Sequence, residues 1–120
     1  MQIHRINSNN RWSEITIFNG IAHFVEVADT DTTADIKGQV RQIFDQAKQK
    51  LASIGSDNSR ILSVTIYLTD FANYAAMNEL WDTWFPSDSA PARACVKVEL
   101  ANPEYLVEMA FVAAAGDAYK

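Results

Sequence analysis

The sequence predicts an α+β fold, with a mixed β-sheet and two helices on one face of it. Two observations predict this class. Segments with the two-residue period of strands alternate with two segments of helical period, and both helical segments fall between strands. The predicted order is a strand, a two-stranded hairpin, a helix, a strand, a helix and two final strands. No element remains to cover the second face of the sheet.

The first three strands are predicted near the N-terminus. Residues 2–7 alternate weakly and predict a short edge strand. Residues 13–18 alternate better, with Ile15 and Ile17 on one face. Asn19-Gly20 follows as a strong hairpin signal, because both residues tolerate positive φ. Residues 21–28 then return as the partner strand.

Two helices are predicted from apolar spacing and from caps. The first follows the loop DTDTTAD, whose aspartates at positions 29, 31 and 35 are interpreted as turn and cap residues. Its apolar stripe runs from Ala34 to a stop at Gly55. The second helix covers residues 71–85, capped by Asp70 and ended by Pro86. The aromatic side chains of the second helix are interpreted as core: Tyr74, Trp81, Trp84 and Phe85.

The last three strands are predicted at residues 60–68, 92–98 and about 105–114. The alternation of residues 92–98 gives this strand two sides of different composition. Ala92, Ala94, Val96 and Val98 are expected to meet the helices, so Arg93, Cys95 and Lys97 would lie on the uncovered face. In the last strand Val107, Met109 and Phe111 are expected to meet the helices. Glu108 would then share the uncovered face with Leu106, Ala110 and Val112.

An uncovered face that is half apolar and half charged predicts an oligomer interface containing a polar pocket. A tight hairpin at ANPE would place Arg93 opposite Val112 and Lys97 opposite Glu108. Arg93 and Glu108 would then be roughly 13 Å apart along the strands. A site that uses both would need a bridging ligand and water, or groups from a neighbouring subunit.

Composition limits the function. The 120 residues are expected to form one domain, residues 1–120. A net charge of −5 with scattered basic residues argues against nucleic-acid binding. No apolar run approaches the ~20 residues of a membrane span, and no secretory signal precedes the first strand. A single cysteine excludes an internal disulfide and favours a reducing, cytoplasmic location.

Other catalytic chemistries find little support. Cys95 lacks a recognisable histidine partner and is interpreted as a small, partly buried thiol. His23 is expected to pack rather than act as a base. One cysteine and two distant histidines argue against a metal site. No glycine-rich phosphate loop is present, so nucleotide binding is unsupported.

Several stretches resemble the Rid (YjgF) family of enamine and imine deaminases. They are PARACV and, some fifteen residues after its arginine, VEMAFVAA, together with NGIAHF, ADIKGQVRQIF, ILSVTIYLTD and FANYAAMNELWDTWF. The resemblance runs from about residue 11 to 115. It implies the chorismate-mutase-like fold, a homotrimer with the sheets lining its centre, and a ligand cleft between each pair of subunits. No cofactor is expected.

The resemblance also implies roles for individual residues. Arg93 matches the arginine that clamps the carboxylate of a 2-imino or 2-enamino acid, as its planar fork suits a carboxylate. Cys95 matches a cysteine that lends its backbone to the ligand. Glu108 matches a glutamate proposed to position the hydrolytic water. Asn78 matches an asparagine near the cleft, and Trp12 stands where a tyrosine usually lines it.

The sequence departs from the family pattern at two places, Trp12 and Val25 to Val27, where a Ser/Ala-Gly-Gln stretch is usual. Glu26 could add a negative charge near the cleft. Two functions therefore remain: hydrolysis of small imines or enamines to 2-keto acids, and binding of a carboxylate metabolite such as a 2-keto acid without turnover. A third alternative is an interaction protein with a vestigial cleft. For Arg93 and Glu108, structural ion pairs are the competing interpretation, with Lys97 as the partner of Glu108.

Overall fold

A computed structural model describes residues 2–120 as a six-stranded mixed sheet with two helices packed against one face. In chain order the elements are β1 (His4–Ile6), β2 (Ile15–Phe18), β3 (Ile21–Val27), α1 (Ile36–Ser53), β4 (Ile61–Leu68), α2 (Tyr74–Trp84), β5 (Ala92–Lys97) and β6 (Val107–Ala114). The strands lie side by side in the order β1-β2-β3-β6-β4-β5. The predicted class and element order are confirmed.

The turn and cap residues act as the sequence predicts. Asn19 and Gly20 both have positive φ, 54° and 78°, and join β2 to β3. Asp35 caps α1 by accepting a hydrogen bond from the Gly38 amide at 2.9 Å. A positive φ of 71° at Gly55 follows the end of α1. These local interactions fix where the chain changes direction before any distant packing is considered.

The second helix begins later than predicted. Asp70 does cap this region, accepting from the Ala72 amide at 2.9 Å. However, Phe71–Asn73 form a separate 3₁₀ turn, and α2 runs only from Tyr74 to Trp84. The turn leaves the Phe71 ring about half exposed. The prediction of a helix over 71–85 is therefore wrong for its first turn and its last residue.

The core lies between the sheet and the two helices. The α1 stripe is buried, and the Phe44 ring stacks on Trp84 of α2 at 4.1 Å between centroids. On β6, Val107, Met109 and Phe111 are buried against the helices, as predicted. Leu106 also packs against this core, so its predicted place on the uncovered face is wrong.

The facing of β5 is the main correction. β5 pairs in parallel with β4, which places Arg93 beside Val64, Cys95 beside Ile66 and Lys97 beside Leu68. Their partners Val64, Ile66 and Leu68 are buried beneath the helices, so Arg93, Cys95 and Lys97 lie on the helix side of the sheet. The alanine and valine side of β5, expected in the core, is the uncovered side. Because both sides of β5 are partly apolar, alternation alone does not select the buried one.

The predicted hairpin between the last two strands is also wrong. β4 lies between β5 and β6, because α2 carries the chain across as a parallel β-α-β connection. Arg93 therefore does not face Val112, and Lys97 does not pair with Glu108. Glu108 instead lies between Val27 of β3 and Tyr67 of β4.

The far face of the sheet carries no helix among residues 2–120, as the sequence predicts. Phe18, Val25 and Val96 on this face each keep 41–53% of their surface exposed. Glu108, Ala110 and Val112 lie there too, because they alternate with the buried residues of β6. The face is therefore apolar and wide, and carries the Glu108 carboxylate.

Candidate functional site

The side chain of Arg93 is held by α2. Its Nη1 donates to Asn78 Oδ1 at 2.7 Å, and its Nη2 donates to Tyr74 Oη at 2.8 Å. The guanidinium carbon lies 5.0 Å from the centroid of the Trp81 ring and 5.6 Å from that of Tyr74. Tyr74, Asn78 and Trp81 follow the i, i+4, i+7 spacing of one helix face. That face is built around the arginine.

All partners of this guanidinium are electrically neutral. Among residues 2–120, no Asp or Glu oxygen lies within 4.0 Å of the Arg93 nitrogens. Of the five N–H bonds of a guanidinium, Asn78 and Tyr74 engage two, which leaves three. The positive charge is therefore uncompensated and its orientation is fixed. Such a group can bind a carboxylate with two hydrogen bonds.

A cavity of about 420 Å³ opens beside this arginine, lined by Phe71, Tyr74, Arg93 and Cys95. Cys95 is partly buried against the core, as predicted. Burial raises the pKa of the Cys95 thiol, although the nearby Arg93 charge acts in the opposite direction. The thiol is therefore a poor nucleophile near neutral pH.

Glu108 lies in a second, larger groove of about 760 Å³. Trp12, 63% exposed, lines the same groove, as do Tyr105 and His23. His23 is exposed on the uncovered face, so its predicted packing role is wrong. β3 places it on that side because its neighbours Ala22 and Phe24 are the buried ones.

The side chain of Glu26 does not lie on the uncovered face of the sheet. It is 4% exposed, lies on the helix side of β3, and forms an ion pair with Lys50 Nζ at 2.7 Å. Gln46 Nε2 donates to the same carboxylate at 3.0 Å. Burial raises the pKa of Glu26, and the Lys50 hydrogen bond and charge partly oppose this. The expected free negative charge is therefore paired with a lysine.

The predicted site residues fall into two groups. Arg93, Cys95 and Asn78 lie together at the helix side of the edge strand β5. Trp12 and Glu108 lie together in the groove on the other side of the sheet. Two strand spacings, roughly 10 Å, separate β5 from β6. Within one chain the two groups therefore cannot act on the same small molecule.

The sequence did not identify Tyr74 and Phe71 as site residues. Tyr74 was expected in the core, yet it is 39% exposed, and Phe71 is 52% exposed. Trp81 is buried as expected and also offers its ring to Arg93. The spacing of Tyr74, Asn78 and Trp81 could have indicated this site in the sequence, because it places a polar amide and two rings on one face of the helix.

The family model described as Endoribonuclease L-PSP matches residues 2–115. A RutC family protein of Haemophilus ducreyi is 42% identical over 112 residues, covering 93% of this chain and 96% of that protein. A crystal structure from Neisseria meningitidis, described as a member of the YjgF protein family, aligns with a TM-score of 0.90 and 36% identity over 98% of both chains. A Rid family protein of unknown function from Yersinia pestis aligns with a TM-score of 0.82 and 27% identity over 90% of both chains.

A family model that spans nearly the whole chain, with relatives this similar, settles the class. The chain belongs to the Rid (YjgF) family, as its sequence motifs indicated. No helix among residues 2–120 is long and apolar enough to cross a membrane. In the same part of the chain, no three His, Cys, Asp or Glu side chains converge in a way that could hold a metal ion.

Proposed function

We propose that this protein hydrolyses small 2-imino or 2-enamino acids to 2-keto acids and ammonia. The observation that carries the proposal is the Arg93 guanidinium, fixed in place by neutral partners only. A buried or half-buried cation is normally paired with a protein carboxylate. An arginine that is oriented but unpaired and opens onto a cavity is suited to a ligand carboxylate.

The proposed reaction needs little more than orientation of water. The substrate in its protonated form carries an iminium group and a carboxylate, and Arg93 binds the carboxylate. Glu108 takes a proton from water as the water oxygen bonds to the iminium carbon. Glu108 returns the proton to the nitrogen and then accepts the hydroxyl proton as the carbon–nitrogen bond breaks, so ammonia leaves and the carbonyl of the keto acid forms. The released ammonia takes up this proton and becomes ammonium. The imine is already electrophilic, so the reaction requires no cofactor.

Because Arg93 and Glu108 lie on opposite sides of the sheet, the proposal requires two copies of the chain at each site. The β5 edge of one copy would supply Arg93, and the uncovered face of the next would supply Glu108 and Trp12. The broad apolar face provides the surface that such an assembly would bury. A homotrimer with three equivalent sites is the assembly that we propose.

The charge of the Glu108 groove favours an imine over a nucleic acid. Glu26 and Lys50 in its lining pair with each other. The other acidic side chains of the groove are Glu14, Asp29 and Glu108, with His23 beside them. Carboxylates stabilise a cationic iminium and a departing ammonium, whereas they repel a phosphodiester. We therefore do not extend the ribonuclease activity in the name of the family model to this chain.

A coupled deamination assay tests the proposal. A pyridoxal-dependent enzyme generates 2-aminoacrylate in situ, and keto acid release is followed with and without the protein. We expect wild type to accelerate release and Arg93→Ala to abolish the acceleration at low substrate. Lys48→Glu, an exposed change on α1, serves as the control and should retain activity. Full activity of Arg93→Ala would remove the basis of the proposal.

A second candidate is a carboxylate-binding protein without turnover. It is favoured because Arg93 and the residues that hold it all come from one chain, and because Glu108 lies on the other side of the sheet. Glu108→Gln separates the two functions. Hydrolysis predicts a loss of about 10²–10⁴-fold in turnover, as expected for removal of a general base. Binding alone predicts no wild-type turnover and little change in the affinity for pyruvate.

A further inference from the structure

We infer that the proposed site is selective for substrates with an apolar side chain of up to aromatic size. This inference rests on the proposed function and names the substrate class of the Arg93 cavity. Its basis is the aromatic wall, defined here as the rings of Phe71 and Tyr74. Neither ring was identified as a site residue from the sequence.

The aromatic wall lies directly beside the carboxylate-binding arginine. Phe71, Tyr74, Arg93 and Cys95 line one cavity, and the two rings meet edge to face with centroids 6.5 Å apart. Tyr74 belongs to both parts, because its hydroxyl accepts from Arg93 Nη2 at 2.8 Å while its ring borders the cavity. A carboxylate bound to Arg93 therefore brings the rest of the ligand against these rings.

The part of the lining that this chain supplies disfavours polar side chains of the substrate. Apart from the Arg93 guanidinium and the Tyr74 hydroxyl, which already engage each other, the lining side chains are a phenyl ring and a thiol. A charged or amide-bearing substrate side chain would lose its hydration there without gaining a partner. An apolar side chain would instead displace water from exposed aromatic surface.

The exposure of these rings distinguishes the wall from ordinary core. Phe71 is 52% and Tyr74 39% exposed, whereas Trp81 on the same helix is 7% exposed. The 3₁₀ turn at Phe71–Asn73 places Phe71 outside the buried face of α2. The cavity volume of about 420 Å³ lies within the range of small-molecule sites, ~300–1,000 Å³. An aromatic keto acid therefore has room beside the arginine.

Calorimetry with 2-keto acids tests the inference without requiring turnover. Pyruvate, 4-methyl-2-oxopentanoate and phenylpyruvate share the carboxylate and carbonyl but differ in the side chain. We expect wild type to bind the two larger acids about tenfold or more tightly than pyruvate. Phe71→Ala should remove most of that difference while changing pyruvate affinity less than twofold, and Phe71→Leu should retain it for 4-methyl-2-oxopentanoate.

Lys48→Glu is the control, since this exposed position on α1 lies outside both the aromatic wall and the uncovered face of the sheet. It should leave the order of affinities unchanged. Equal affinity of wild type for all three acids, or an equal loss for all three in Phe71→Ala, would overturn the inference. A different result would contradict the proposed hydrolysis alone. In that case the acids bind in the expected order, but no imine is hydrolysed faster than in buffer.

Discussion

At the scale of single residues, the surroundings of a charge decide what it can do. Arg93 is held by an amide oxygen, a hydroxyl and a ring, which orient it without neutralising it. Glu26 is the opposite case, because Lys50 neutralises it within a nearly dry environment. Arg93 is therefore suited to a ligand, and Glu26 to a structural role with an energetic cost.

The buried Glu26 makes the stability of the protein dependent on pH. Its pKa is raised above 4.5 in the folded state, so between pH 4.5 and that raised value the folded chain binds more protons than the unfolded chain. The contribution of Glu26 to the free energy of unfolding therefore falls as pH rises through this window. We expect the difference between wild type and Glu26→Gln, measured by urea unfolding, to decline from pH 4.5 upward and then level off.

The diagnostic quantity is the slope of this stability difference against pH. Glu26→Gln also removes the ion pair with Lys50, which shifts the difference by the same amount at every pH. A difference that rises with pH would mean that Lys50 and Gln46 outweigh the desolvation of the carboxylate.

At the scale of elements, one buried glutamine joins α1 to the loop before β6. Gln39 is fully buried; its Nε2 donates to the Ala34 and Glu104 carbonyls at 3.1 and 3.0 Å. Its Oε1 accepts from the Leu106 amide at 2.9 Å. The loop and the helix start are thus fixed to each other, which sets the position where β6 begins, one residue before Glu108.

Gln39→Leu should destabilise the fold although it keeps the volume of the side chain. The Leu106 amide and the Glu104 carbonyl would be left without their partner, and each such buried group costs about 1–3 kcal/mol. Urea unfolding at constant pH measures the loss. Gln49→Leu, on the exposed side of α1, is the control and should change the free energy of unfolding by less than about 0.5 kcal/mol. Equal effects of the two variants would show that the hydrogen bonds of Gln39 contribute little.

At the scale of the whole molecule, the sheet has one covered and one uncovered face. The uncovered face exposes Phe18, Val25 and Val96 together with the groove of Glu108. Monomeric proteins rarely leave so broad an apolar surface in water. The edge strand β5 adds a row of backbone groups on its outer side that pair with no other strand among residues 2–120.

Val25→Glu should dissociate the proposed homotrimer without unfolding the chain. Val25 is 53% exposed in one copy, so a charge there is tolerated in the monomer but would be buried in the assembly. Sedimentation equilibrium should give three times the monomer mass for wild type and the monomer mass for the variant. The Lys48→Glu control on α1 should remain trimeric. A monomeric wild type, or a trimeric Val25→Glu, would contradict the proposed interface.

The sequence by itself determined the elements, their order and their chemistry. The turn at Asn19-Gly20, the cap at Asp35, the buried stripe of α1 and the inward side of β6 all follow from local geometry and from strong apolar periodicity. The motifs also indicated the family, which the family model confirms. Through that resemblance they indicated three site candidates, Arg93, Asn78 and Glu108.

Only the tertiary structure decided which side of β5 faces the helices and which strand it adjoins. Both sides of β5 are short and weakly apolar, so burial free energy hardly distinguishes them along the sequence. The choice was made by the crossover through α2 and by the Trp81 ring, which can pack against a guanidinium. For this reason Arg93 and Glu108, assigned to one face by alternation, lie on opposite sides of the sheet.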